Sequence, residues 1–215
     1  MAPQVQPVGD TAVLLSFGTA IDPAVFDRIL ALEAAIIADP PPGFIETVPA
    51  YVTLLIVFDP LLTDGAAMAA AVLARPVTVT AVAGAVHSIP MCCDADLAPD
   101  LAEVAAHAGM TQAAVIDTHL ASEYRVYMYG FAPGYAYMDG VALALQLPRK
   151  AVPVRSRPMG TVMIAGGQCL ITTLPMPTGW WVIGATRVQV LRPEGFLFQP
   201  GDRVRFTRQS RADFG

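Results

Sequence analysis

Charge is scarce in this chain. Asp, Glu, Lys and Arg make up 14 % of the 215 residues, hydrophobic residues make up 54 %, and the formal balance is −5. So low a charge content excludes a disordered chain. An acidic balance also argues against nucleic acid as a partner, because the usual basic patch interleaved with aromatics is missing. Long apolar runs are missing too. The longest, residues 66–74, is too short to span a bilayer, and much of the apolar share is Ala and Val rather than bulky side chains. The first residues lack the basic stretch and apolar core of a secretory leader. Only three cysteines occur, at Cys92, Cys93 and Cys169. The first two are adjacent, where a bridge is strained, and no metal-ligand spacing is present. This usage fits a reducing cytoplasm. No Gly-Lys-Ser/Thr phosphate loop, Gly-x-Ser-x-Gly elbow or Ser-His-Asp order is found, so a complete catalytic set is not evident.

What remains is a chain of one large or two small domains. In the first part, strands and helices alternate. Residues 11–17 read as a strand, and Asp22-Pro23 reads as a helix start with a carboxylate cap and proline in the first turn. Phe26, Ile29, Leu30, Ile36 and Ile37 recur at helical spacing, and Pro40-Pro41-Pro42-Gly43 stops the helix. Residues 44–48 and 52–58 read as two strands. Asp64 opens an Ala-rich helix to Leu73, Pro76 ends it, and residues 77–82 read as a further strand. The order strand, helix, strand, strand, helix, strand is that of a ferredoxin-like α/β domain.

A second segment begins near His87. The expected division is therefore residues 1–86 and 87–215, an α+β arrangement with a small α/β domain first. Residues 88–92 read as a strand and residues 99–108 as a helix ended by Gly109. Thr111 caps a further helix to about Ser122. From Tyr124 onward short apolar runs alternate with Gly and Pro, at residues 125–129, 161–165, 169–174, 181–183, 188–191 and 203–206. That is the pattern of a β-barrel or sandwich.

Three stretches carry candidate chemistry. The first is Tyr129-Gly130-Phe131-Ala132-Pro133-Gly134-Tyr135-Ala136-Tyr137-Met138-Asp139-Gly140. Its glycines tolerate positive φ, so the loop can gather Phe131, Pro133, Gly134, Tyr135 and Tyr137 around a substrate; a plain turn with aromatic packing uses the same residues. The second is Pro148-Arg149-Lys150 with Arg155-Ser156-Arg157. Arginine forks there suit a carboxylate or phosphate, and a solvated basic loop is the alternative. The third is Gly166-Gly167-Gln168 at a strand end. Its glycines admit close backbone approach and Gln168 both donates and accepts, while a strand-end turn needs no more than the glycines. His119, five residues before Tyr124, is either a proton carrier near neutral pH or a structural histidine. The expectation is that the Phe131–Tyr137 loop, Arg149 and residues 166–168 converge on one pocket, with Arg149, Gln168 and His119 as the catalytic candidates.

An ordered set of motifs runs along nearly the whole chain: Val8-Gly9-Asp10, Phe17-Gly18, Val48-Pro49-Ala50-Tyr51, Phe58-Asp59-Pro60, Ile89-Pro90-Met91-Cys92, His119, Tyr124, Gly130-Phe131-Ala132-Pro133-Gly134-Tyr135, Pro148-Arg149, Gly166-Gly167-Gln168, Gly179-Trp180, Ile183-Gly184 and Pro200-Gly201-Asp202. Taken together it resembles the family of 5-oxoprolinase B subunits, KipI-type kinase inhibitors and the carboxyltransferase segments of urea carboxylase. Members of this family are also labelled allophanate hydrolase subunit 1, although the amidase signature of that chemistry is absent here.

The resemblance implies a cyclophilin-like β-barrel in the second domain and a homologous barrel subunit as partner. It implies three functions: ATP-dependent opening of a lactam such as 5-oxoproline, with ATP and Mg in the assembled complex; carboxyl transfer from carboxybiotin to urea or a related amide; or inhibition of a sensor histidine kinase. Little activity is expected of the single chain. The sequence departs from the family pattern where Val154 and Ala185 replace arginines, and at Cys169-Leu170 and Thr178. These changes bear on the substrate more than on the fold.

Overall fold

The structure is a computed structural model and describes residues 2–77 and 84–215. It divides into two compact units, Met1–Ala83 and Gly84–Gly215. The strand expected over residues 77–82 falls almost wholly outside the described residues.

The first unit runs β1 (Gln4–Val8), β2 (Ala12–Ser16), α1 (Pro23–Ala38), β3 (Phe44–Ala50), β4 (Thr53–Phe58) and α2 (Gly65–Leu73). Asp22 caps α1 by accepting from Ala24 N, and Asp64 caps α2 by accepting from Ala67 N. Each satisfies an N–H that the first helical turn leaves without an intrahelical partner. The four strands form an antiparallel sheet in the order β1-β2-β4-β3. In β4 the side chains alternate, with Leu54, Ile56 and Phe58 buried. With Val13 and Leu15 of β2 they pack against Ile29, Leu32 and Ile36 of α1 and Met68 and Val72 of α2.

The central order β2-β4-β3 is that of the ferredoxin-like reading. The place beside β2, which that fold gives to the strand after the second helix, is instead held by β1. Sequence reading missed β1 because Pro7 cannot donate to a ladder and is tolerated only at a sheet edge, where β1 lies. Gly9, at φ 59°, makes the turn into β2.

The second unit runs β5 (Val86–Met91), α3 (Leu101–Ala108), α4 (Gln112–Ala121), β6 (Tyr124–Tyr129), β7 (Ala136–Asp139), a 3-10 turn (Leu143–Leu145), β8 (Val154–Arg157), β9 (Thr161–Ala165), β10 (Gln168–Ile171), β11 (Met176–Thr178), β12 (Trp181–Ala185), β13 (Leu191–Arg192), β14 (Gly195–Phe196), β15 (Arg203–Arg208) and α5 (Arg211–Phe214). Seven strands form one sheet in the order β12-β9-β10-β7-β6-β15-β5. All neighbours are antiparallel except β15 and β5.

The two edge strands of that sheet meet. Cys92, one residue past β5, exchanges both backbone hydrogen bonds with Ala185 at the end of β12, each 2.9 Å. The sheet is thereby nearly closed into a barrel. Gly184 makes this closure possible, because a Cβ there would lie 2.4 Å from Met91 Cε and 2.8 Å from the Cys92 carbonyl. The fold is thus mixed α/β, with few helices beside a nearly closed barrel sheet.

The barrel interior holds Val162, Ile164, Cys169, Ile171, Trp181 and Ile183, packed with Val126, Met138 and Phe206. Residues between them on the same strands point outward and build a second, smaller cluster of Met163, Ala165, Leu170 and Val182 with Tyr135 and Trp180. All five residues of β9 are consequently buried. The strand reads as an unbroken apolar run because both its faces are covered. The strand expected over residues 188–191 shrinks to the two-residue β13. Conversely, the end of the aromatic motif, read as loop, is the strand β7. Asp202 of Pro200-Gly201-Asp202 is 5 % exposed and accepts from Ala85 N, Gln199 N and His87 Nε2, each at 2.8 Å, tying the start of the unit to β15.

Candidate functional site

The loop between β6 and β7 is short and tightly wound. Ala132 N donates to the Gly130 carbonyl at 2.8 Å, and Phe131 between them has φ 70°. That combination is a γ-turn of the strained kind, rare for a residue with a side chain. Strain of this sort persists only where surrounding contacts over-determine it. Here Tyr135 N donates to the Ala132 carbonyl, Gly130 N to the Tyr135 carbonyl, and Thr173 Oγ1 to the Pro133 carbonyl at 2.6 Å. Gly134, at φ 75°, packs so closely on Thr173 and Leu191 that a Cβ would come within 3.0 and 3.1 Å of them. Pro133 and Gly134 therefore shape the loop. Its product is Phe131, 70 % exposed, with its ring edge-on to Tyr135.

A two-stranded arm, β8 paired with β11, lies beside this loop on the outer face of the barrel; Met176 of the arm packs on the outward-facing cluster. Between arm and loop is a cleft of about 110 Å³. Met163 and Leu170, direct partners across β9 and β10, supply apolar lining. Phe131, Tyr135, Tyr137, Trp180 and Pro177 line it too, and Arg149, Thr178 and Gly179 complete it.

The polar groups of the cleft differ in how far they are already engaged. Thr178 Oγ1 accepts from Trp180 N at 3.0 Å and lies 3.2 Å from Met163 Sδ. Arg149 is exposed, has no carboxylate partner among the described residues, and rests its guanidinium 5.7 Å from the Trp180 ring centroid. A guanidinium on an indole face keeps its fork of donors free for an anion. Tyr135 is 2 % exposed and its hydroxyl has no hydrogen-bond partner among the described residues. Burial pushes its pKa up, and Tyr137 nearby adds to the shift, so the phenol stays neutral.

The position of Arg149 is set by its neighbour. Lys150 Nζ lies 2.5 Å from Asp100 Oδ2, with both side chains about nine-tenths buried (11 % and 10 % exposed). The same carboxylate accepts from Val182 N at 2.7 Å, while Lys150 N donates to the Gly179 carbonyl at 2.7 Å. Lysine and aspartate thus pin the strap carrying Arg149 to the start of α3 and to β12.

Of the residues expected to converge, Phe131, Tyr135, Tyr137 and Arg149 line one cleft. Gly166, Gly167 and Gln168 do not line it. Gly166, at φ 54°, and Gly167 form the turn between β9 and β10, and Gly167 O accepts from Gly140 N and Val141 N. Gln168 is paired in register with Asp139 and Ala165. Arg155 and Arg157, expected in the same anion clamp, sit on β8 and do not line the cleft either. Missed in the sequence were Met163, Leu170 and Trp180. The unbroken apolar run in β9 was the available signal, since a strand buried on both faces has something packed outside the barrel.

His119 is also apart from the cleft. It is 1 % exposed at the end of α4, with Nδ1 2.6 Å from the Tyr124 hydroxyl and its ring against Phe206. Burial lowers its pKa from 6.5 to about 3, so at neutral pH it is an uncharged core residue and not a proton carrier. The consequence is a pH dependence of stability. The unfolded chain binds a proton below about 6.5 that the folded chain refuses down to about 3, so stability falls as pH drops through that window. The slope is about 1.4 kcal/mol per pH unit once the unfolded histidine is fully protonated. Urea unfolding at pH 7 and pH 5 should show this loss in the parent chain and a smaller one in His119→Asn, which keeps an acceptor near the Nδ1 position. Equal losses in both chains would discount the assignment.

Comparison with known proteins places the chain in a family. The family described as carboxyltransferase domain, subdomain C and D, matches residues 3–196. A Bacillus subtilis protein named as the B subunit of 5-oxoprolinase is 34 % identical over 98 % of this chain and 95 % of its own length. The crystal structure of TTHA0988 superposes with a TM-score of 0.83 at 36 % identity over 94 % of this chain, which spans 40 % of that longer one. The urea amidolyase of K. lactis superposes with a TM-score of 0.77 at 17 % identity, covering 99 % of this chain and 15 % of that one, a likeness of fold alone. Matched over nearly its full length, the chain belongs to the carboxyltransferase-domain family, subdomains C and D, and has relatives among the 5-oxoprolinase B subunits.

Proposed function

We propose that this chain is a subunit of a 5-oxoprolinase-type complex, which opens a small lactam carrying a carboxylate at the expense of ATP. The observation that carries the reading is the near-full-length likeness to a 5-oxoprolinase B subunit. The cleft supports it chemically. It is small, walled by Phe131, Tyr137 and Trp180, and offers the free guanidinium of Arg149. Flat aromatic walls suit a five-membered ring, and a guanidinium fork suits its carboxylate. In this reading Arg149 holds the anion, Trp180 holds Arg149, and the apolar lining excludes water from the bound ring.

ATP with Mg belongs to the assembled complex in this proposal. The partner in the proposal is a homologous barrel subunit; this chain supplies a cyclophilin-like barrel, little activity alone, and a cytoplasmic place of work. Among the described residues no helix is long and apolar enough to cross a membrane.

Carboxyl transfer to an amide is the second reading, favoured by the family match itself. Kinase inhibition rests on the resemblance alone. The experiment is co-expression with a homologous barrel subunit, gel filtration, and assay of 5-oxoproline hydrolysis with ATP. A stable complex that hydrolyses 5-oxoproline, with the single chain nearly inert, is the expected result. A complex that instead carboxylates an amide in the presence of carboxybiotin would favour the second reading, and full turnover by the single chain would sink the proposal that this chain needs a partner.

A further inference from the structure

One polar group beside the cleft has no partner among the described residues. Tyr135 is 2 % exposed, lines the cleft, and has a hydroxyl that is buried without a hydrogen-bond partner among the described residues. A native core rarely leaves such a group unpaired, because its lost hydration is not replaced. The side chain is held there firmly. Its backbone N–H and carbonyl are both tied into the γ-turn loop, its ring meets Phe131, and it packs in the outward-facing cluster with Met163 and Leu170. Tyr137, two residues on and therefore on the same side of the chain as it enters β7, brings a second phenol to the cleft. Tyr137 is partly exposed and its hydroxyl is not among the buried groups left without a partner. The Tyr135 hydroxyl is one of them.

We infer that the Tyr135 hydroxyl is the group by which the cleft selects a ring bearing an amide edge over a plain carbocycle of the same shape. The inference rests on the lactam reading above and assigns it a specificity-determining atom. Arg149 takes the carboxylate, which a lactam acid and a cycloalkane acid share. Beyond Arg149, the polar side-chain groups on the wall are the Tyr135 and Tyr137 hydroxyls, the Trp180 indole and the engaged Thr178, and a ligand with its own donor or acceptor at the ring edge completes the buried hydroxyl's bonding. A phenol can donate to a lactam carbonyl or accept from its N–H. A site that contains a buried hydrogen-bonding group rejects an isostere lacking the matching atom, because binding it would leave that group unpaired.

The test uses Tyr135→Phe, which deletes only the oxygen. L-5-oxoproline and cyclopentanecarboxylate are titrated by calorimetry into the full chain, alone and in its assembled complex. The expected result is that Tyr135→Phe binds L-5-oxoproline about tenfold more weakly than the parent while its affinity for cyclopentanecarboxylate is unchanged or higher. Arg149→Ala is expected to weaken both. Without ligand, Tyr135→Phe is expected to melt no lower than the parent and about 2–4 °C higher, because an unpaired buried polar atom is gone. Equal affinity of parent and Tyr135→Phe for L-5-oxoproline would overturn the inference while leaving the lactam reading intact. A clear drop in ligand-free melting temperature would also overturn it, since the hydroxyl would then serve the fold. If the parent complex binds neither probe, the lactam reading itself falls and the inference falls with it.

Discussion

Replacing Lys150 with alanine is expected to destabilise the barrel unit by about 3–5 kcal/mol, the usual cost of leaving one member of a buried ion pair uncompensated. Among the described residues the Asp100 carboxylate would keep only the N–H of Val182 as partner while remaining about 10 % exposed. For a chain of this size the melting temperature should fall by roughly 10 °C. The effect has a diagnostic counterpart. Asp100→Asn combined with Lys150→Met removes both charges, retains an acceptor for Val182 N, and should recover most of the loss, because paired charges taken out together relieve their own desolvation. Thermal melts of the three variants decide the matter. A Lys150→Ala chain that melts within about 2 °C of the parent would show that the pair is not buried in solution.

Replacing Arg149 with alanine is expected to leave folding unchanged and to cost function. The side chain is exposed and bonds no carboxylate among the described residues, so little stability depends on it. A charged hydrogen bond to a substrate anion contributes about 1.5–3 kcal/mol, which corresponds to a drop in kcat/KM of the assembled complex of roughly tenfold to a hundredfold. Lysine at this position should restore only part of it, because an ammonium lacks the fork and stacks poorly on Trp180. Wild-type turnover by an Arg149→Ala complex of normal stability would show that the anion is held elsewhere. The contrast between the adjacent positions is informative in itself. Lys150 should move stability, and Arg149 should move catalysis.

Much of the local structure was legible because its signals are local. Asp22-Pro23 starts α1, and the side-chain cap is where the pattern put it. Asp64 and Thr111 cap α2 and α4, and Gly109 ends α3 at φ 64°. Caps depend on one or two neighbouring residues, so the sequence contains the whole cause. The loop at Phe131 was legible as a turn for the same reason, although the γ-turn at a non-glycine residue was not. Strand β1 was hidden by Pro7, and β8 and β11 were hidden because a polar two-stranded arm has no alternating apolar face to announce it.

The candidate site divides along the same line. The sequence by itself determined the types of side chain available: an aromatic loop of fixed turn geometry and an arginine beside a proline. Only the tertiary structure decided which of these meet. Arg149 reaches the aromatic loop because β8 and β11 fold back over the outer face of the barrel and because Lys150 locks onto Asp100, about fifty residues earlier in the chain. Gln168 does not reach it, because Gly166-Gly167 spend their conformational freedom on a hairpin turn. His119 was a candidate by residue type, but the packing of α4 buried it against Phe206 and Tyr124 and removed its charge. Spacing along a chain fixes the periodicity of a strand and the cap of a helix. Which face of a strand is covered, and by what, depends on segments far away in sequence, and on that the protonation of a histidine and the freedom of a guanidinium both depend.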